Sequence, residues 1–102
     1  MQYLQQEELE RLSARSLPIK SGDGQRPATA YRLIKIKQLE APGIEHIIID
    51  LILKASGYVF WQLDHQAFTI INDREIDKLK VLAIKNSKTR EFSFYFDITA
   101  LG

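Results

Sequence analysis

Apolar and polar positions along the chain change their period twice. Residues 3–16 (YLQQEELERLSARS) hold good helix formers without Gly or Pro, acids early and arginines late, an order that suits the helix dipole. The apolar stripe is thin, Leu4, Leu9 and Leu12 with Tyr3 at its margin, so the helix is anchored only in part. Leu17-Pro18 ends it, because proline pushes its predecessor out of the helical region. Residues 18–28 (PIKSGDGQRPA) carry two glycines and two prolines and read as a flexible loop.

Alternation takes over from residue 29. In 30–39 (AYRLIKIKQL) Ile34 and Ile36 share a face with Arg32 and Gln38, while Leu33, Lys35, Lys37 and Leu39 point the other way. Ala41-Pro42-Gly43 reads as a turn. Residues 45–54 (EHIIIDLILK) place Ile47, Ile49, Leu51 and Leu53 on one strand face and His46, Ile48, Asp50, Ile52 and Lys54 on the other. A helix through Ile44, Ile47, Ile48, Leu51 and Ile52 also fits, but the β-branched triplet favours a strand. After a turn at 55–57, residues 58–64 put Val59, Trp61 and Leu63 inward and Tyr58, Phe60 and Gln62 outward.

Asp64-His65-Gln66 reads as a turn and 67–71 as a short strand. Asn72 with Glu75 forms a capping-box pattern, which predicts a short helix through Ile76 and Leu79. Residues 81–85, 86–88 and 89–98 then read as a β-hairpin, with Phe92, Phe94, Phe96 and Ile98 on one side of its last strand. The expected fold is α+β and β-dominated. An N-terminal helix (1–17) and a loop (18–28) precede a β-rich core (29–102), all within a single domain. That core is an antiparallel meander of five to six strands, a curled sheet or small half-open barrel, with one short helical insertion near 73–79.

Composition narrows the chemistry. The chain has 102 residues, 45% of them hydrophobic, and no cysteine. A core of that size folds without a disulfide or metal staple, and thiol nucleophiles and cysteine-ligated metals are excluded. No apolar run approaches the roughly 20 residues of a membrane span. The acidic start (Glu7, Glu8, Glu10) lacks the lysines and apolar core of a secretion signal, so a cytoplasmic setting is expected.

The net charge of +1 hides an uneven distribution. Arg11, Arg15, Lys20, Arg26, Arg32, Lys35 and Lys37 stand within residues 11–37 against Asp23 alone. Such local positive density attracts phosphate or an acidic partner surface whatever the total.

Candidate chemistries are few. None of the serines lies in a nucleophile-elbow context. His46 and His65 are the only candidate imidazole bases; Asp64 adjoins His65, and on a strand His46 and Asp50 stand about 13 Å apart. Asp73, Glu75 and Asp77 lack the glycine and bidentate acid of a calcium loop. Ser21-Gly22-Asp23-Gly24 has neither the preceding strand nor the following helix of a phosphate loop. No catalytic residue, metal ligand, cofactor or small-molecule ligand is assigned.

The outward sheet face carries the functional expectation, set against the alternative that the N-terminal helix lies over part of it through Leu4, Leu9 and Leu12 and makes it a second small core. Arg26, Arg32, Lys35, Lys37, Ile48, Tyr58, Phe60 and Tyr95 form an aromatic and apolar patch with a basic rim. The first reading is a non-enzymatic protein-binding module, an adaptor or inhibitor. It acts through that face or through an edge strand, and self-association is its simplest variant. The second is a single-stranded nucleic-acid module in which Arg26, Arg32, Lys35 and Lys37 contact phosphates and Tyr58 or Phe60 stacks a base. A small hydrolase or metalloenzyme around His46, Asp50, Asp64 and His65 ranks last.

Overall fold

A computed structural model describes residues 3–101. Two helices, α1 (Gln6–Ser13) and α2 (Ala41–Ala55), accompany four strands: β1 (Tyr31–Arg32), β2 (Phe60–Ile71), β3 (Arg74–Lys85) and β4 (Lys88–Asp97). The strands form one open mixed sheet in the order β1-β4-β3-β2. β2, β3 and β4 are antiparallel neighbours, whereas β1 runs parallel to β4, pairing Tyr31 with Phe96. The architecture is α+β, as the pattern predicts. The five to six strands and the all-antiparallel meander are not found, nor is the sheet closed into a barrel. The first two residues of the expected N-terminal unit and the last of the expected core lie outside the described residues.

Three local features produce the difference. Residues 44–54 form most of helix α2 rather than a strand. Ala41-Pro42-Gly43, expected as a turn, is its first turn, where proline's missing N–H has no intrahelical partner to lose. Helical spacing brings Ile48, Ile49, Ile52 and Leu53 onto one buried stripe, and tertiary burial outweighs the modest cost of β-branched residues in a helix.

Second, no helix forms near 73–79. Asn72 and Asp73 both adopt positive φ (50° and 63°) and make a two-residue turn between β2 and β3. Asn86 and Ser87 (52° and 63°) repeat the device between β3 and β4, where the hairpin was expected. Third, Asp64-His65-Gln66 is not a turn. β2 continues through it, and the register slips between Leu63 and His65, which marks a β-bulge.

The expected strand 30–39 shrinks to Tyr31–Arg32, and beyond it Lys35 turns the chain at φ 61°. Gly24 (φ 72°) lies against the Tyr31 ring, where a Cβ would collide with it.

Residues directly opposite in an antiparallel pair share a face, so the registers sort the sheet. Leu79, Val81 and Ala83 of β3 face the helices with Phe92, Phe94 and Phe96 of β4 and Trp61 and Leu63 of β2. The core forms between that face and α2, with Leu9 of α1, Leu17, Ile19, Tyr31 and Leu33 completing it. Tyr31 donates to the Leu4 carbonyl and Tyr3 donates to the Ser93 carbonyl at 2.8 Å, which ties the N-terminal segment to the sheet.

Candidate functional site

The β2 strand stands at one edge of the sheet, paired only with β3. It is twelve residues long, well above the usual five or six, and carries neither proline nor lysine, two residues that commonly blunt an edge. Its apolar side chains remain in solvent on both faces. Phe68 (54% exposed) and Ile70 (64%) lie on the helix-side face beyond the reach of α2, while Phe60 and Ile71 lie on the opposite face. The two-residue turn makes Ile71–Arg74 the closing hydrogen-bonded pair. Counting back from it, Gln66, Phe68 and Ile70 turn their backbone N–H and C=O to the open edge.

At the other end of the strand α2 reaches Trp61. Its indole Nε1–H donates to Asp50 Oδ1 at 2.9 Å, and its ring lies 5.1 Å from that of His46. On a helix His46 and Asp50 are one turn apart rather than separated along a strand, so they embrace the same indole. Asp50 also pairs with Lys54 at 3.3 Å. Trp61 thus fixes one end of β2 to the helix and leaves the other end unsupported.

A second feature is a cleft of about 370 Å³ on the opposite face, lined by Arg26, Arg32 and Arg74 over Pro27, Ile71 and Ile76. Arg74 Nε donates to Asp97 Oδ2 at 2.8 Å, and Arg32 Nε stands 4.0 Å from the same oxygen. Thr99 donates to Asp97 Oδ1 through its hydroxyl at 2.6 Å and its N–H at 3.0 Å. Burial alone would raise the Asp97 carboxyl, but the Thr99 and Arg74 hydrogen bonds together with the Arg74 charge outweigh it and hold the group below the usual carboxylate range.

Beneath α2 lies a buried acid pair. Glu45 is fully buried, and neither carboxyl oxygen has a hydrogen-bond partner among the described residues. Burial first, and then the neighbouring Asp77, push its carboxyl up to about 9, so it is neutral at physiological pH.

The residues singled out from sequence are dispersed. Ile48 (0% exposed) and Tyr58 (5%) sit in the core, Tyr58 edge-on to Phe92 at 5.3 Å with the Lys85 ammonium 5.4 Å from its ring. The shared outward face expected for them is therefore not assembled. Arg26 and Arg32 do meet, in the cleft, joined by Arg74, which the basic-segment count left out. Lys35 and Lys37 are exposed on the connection before α2, and Lys37 borders Leu39 and Pro42 rather than an aromatic platform. Phe60 lies on the β2 edge, and Tyr95 is half-buried on the same sheet face with the Lys78 ammonium 5.8 Å from its ring.

Sequence reasoning missed Phe68 and Ile70. The signal that finds them is a single strand running from Phe60 to an Asn-Asp turn.

No helix among the described residues is long and apolar enough to cross a membrane, and no cluster of three or more potential metal ligands occurs among them. Comparison with protein-family models, with curated proteins and with solved structures gives no significant match.

Proposed function

We propose that the chain is a non-enzymatic protein-binding module that takes up an extended partner strand along the free edge of β2. One observation carries this reading: a twelve-residue strand whose backbone edge is open while Phe60, Phe68, Ile70 and Ile71 stay exposed beside it. Backbone groups at the edge supply hydrogen bonds to any extended segment, and the apolar side chains on either face supply contacts that select among them. Trp61, held by Asp50, fixes the strand's direction relative to the helix layer.

The test is selection from a displayed library of extended, apolar-rich peptides. The native chain, diluted until single chains predominate, is expected to retain such peptides. Gln66→Pro, which removes an N–H aimed at the open edge, and Phe68→Lys are each expected to lose them while keeping the native circular dichroism spectrum. Peptide retention undiminished in both variants would overturn the reading.

The nucleic-acid reading keeps one support, the meeting of Arg26, Arg32 and Arg74. It lacks a stacking platform beside that cluster, because Tyr58 is buried and Phe60 belongs to the β2 edge. Salt-dependent retention of a labelled single-stranded oligonucleotide, lost in Arg26→Ala/Arg32→Ala, would favour it instead.

A further inference from the structure

The edge of β2 has an internal symmetry that names its partner. We infer that the partner strand is β2 of a second copy of this chain, paired antiparallel about a two-fold axis at the bulge. The inference rests on the edge-strand reading above and narrows it.

In a two-fold strand pair, if one residue opposes another, the second opposes the first, and opposed residues must lie on the same sheet face. An unbroken strand keeps residues of one face at even spacing. In β2 the extra residue between Leu63 and His65 changes this: Trp61 and Leu63 before the bulge share a face with Gln66, Phe68 and Ile70 after it, and Phe60 and Gln62 share the other with Ala67 and Thr69.

An axis midway between Asp64 and His65 therefore matches the faces of Phe60, Trp61, Gln62 and Leu63 with those of Thr69, Phe68, Ala67 and Gln66. It sets Trp61 opposite Phe68 of the second copy, Leu63 opposite Gln66, Gln62 opposite Ala67 and Phe60 opposite Thr69. It also opposes Asp64 to His65 of the second copy, twice. The strand holds one acid and one histidine, and this register brings unlike rather than like side chains together at the axis. The half-covered Trp61 and the uncovered Phe68 then pack on each other, the kind of aromatic cross-strand pair that stabilises a sheet. Joining the two sheets leaves the two-residue strand β1 as the only edge at each end, which removes the long open edge.

The absence of cysteine makes the register directly readable. Gln62 and Ala67 belong to the set whose backbone groups turn toward β3. Across the axis they would form a non-hydrogen-bonded pair with Cα atoms about 4.5 Å apart, within disulfide reach. Within one chain they lie roughly 15 Å apart along the strand and cannot join.

Oxidised Gln62→Cys/Ala67→Cys is expected to run as a disulfide-linked dimer on a denaturing gel. Gln62→Cys/Thr69→Cys, on the same face but two residues out of register, is expected to remain mostly single chains. Light scattering of the native chain is expected to give twice the chain mass, and of Phe68→Lys the mass of one chain, so a poorly folding cysteine variant does not hide the answer.

A native chain that scatters as a monomer at all concentrations, or crosslinks only in the 62/69 variant, overturns the two-fold pairing. If the monomer still retains extended peptides along β2, the edge-strand reading survives that loss. If the chain dimerises while the amides of Gln66 and Phe68 exchange freely, the contact lies elsewhere and the two-fold pairing falls; the edge-strand reading falls if, in addition, no extended peptide is retained.

Discussion

At the scale of single residues, the acids buried on either side of the sheet set the response to pH. Glu45 is held neutral by burial and by Asp77. Between the ordinary glutamate range and about 9, the folded chain therefore keeps a proton that the unfolded chain has released, and stability falls as pH rises through that window. Asp97 works in the opposite sense. Its lowered pKa gives a contribution present above the ordinary aspartate range and lost as pH falls through it. Urea denaturation across a pH series should therefore show greatest stability in mildly acidic solution. Glu45→Gln is expected to raise stability by about 1–3 kcal/mol at pH 9 and to flatten the alkaline limb, while Asp97→Asn lowers stability and weakens the acid limb. Tyr58→Ala probes the core directly. With that ring packed on Phe92, the substitution should cost about 3 kcal/mol in the same assay, whereas an exposed ring would cost little.

At the scale of elements, the hairpin turns decide the sheet. Asn72-Asp73 lies between two alternating apolar runs, and the same four letters, NDRE, also spell a helix cap. The capping pattern describes what two side chains can do locally. It says nothing of the cross-strand partners that Ile70 and Ile71 find in Glu75 and Arg74, and those partners decide the outcome. Asp73→Gly, which relieves a side chain at φ 63° and supplies the Asn-Gly pair such turns favour, is expected to raise the unfolding free energy in urea denaturation by about 0.5–1 kcal/mol.

The last strand was legible because Phe92, Phe94 and Phe96 alternate without interruption and face one core. Helix α2 was not. Its isoleucines and leucines satisfy a period of two and a period of 3.6 at once, since the partly buried Ile44, Ile47 and Leu51 widen its apolar face beyond the buried stripe and blur the polar contrast. The binding patch failed with it. Once 44–54 is helical, Ile48 turns into the core and the outward face it was to share with Tyr58 disappears.

At the scale of the molecule, the helix layer covers the sheet unevenly. α2 and the N-terminal segment cover β4 and much of β3, and Trp61 marks the limit of cover on β2. Everything beyond it, Phe68 and Ile70 above all, is apolar surface with an open backbone edge alongside. Replacing both with Thr is expected to change the unfolding free energy of the single chain, compared at dilutions where neither protein self-pairs, by no more than about 0.5 kcal/mol, because neither side chain is in the core, while sharply reducing strand capture and self-pairing. A large loss of stability in that variant would mean that the end of β2 supports the monomer itself.

The parallel contact of β1 with β4 has a consequence for how the protein comes into being on the ribosome. Tyr31 can be sealed only when Phe96 has been made, some sixty-five codons later. At ordinary synthesis speeds of about 5–20 residues per second, the first third of the polypeptide waits on the order of several seconds for the strand it must dock against. In the last part of that interval, once Lys85 has been made and before Phe96 has, the β2–β3 hairpin is available to close, on a scale of microseconds. The nascent chain therefore presents its sticky margin before its own core is finished, the moment at which a chaperone or a neighbouring nascent chain would meet it.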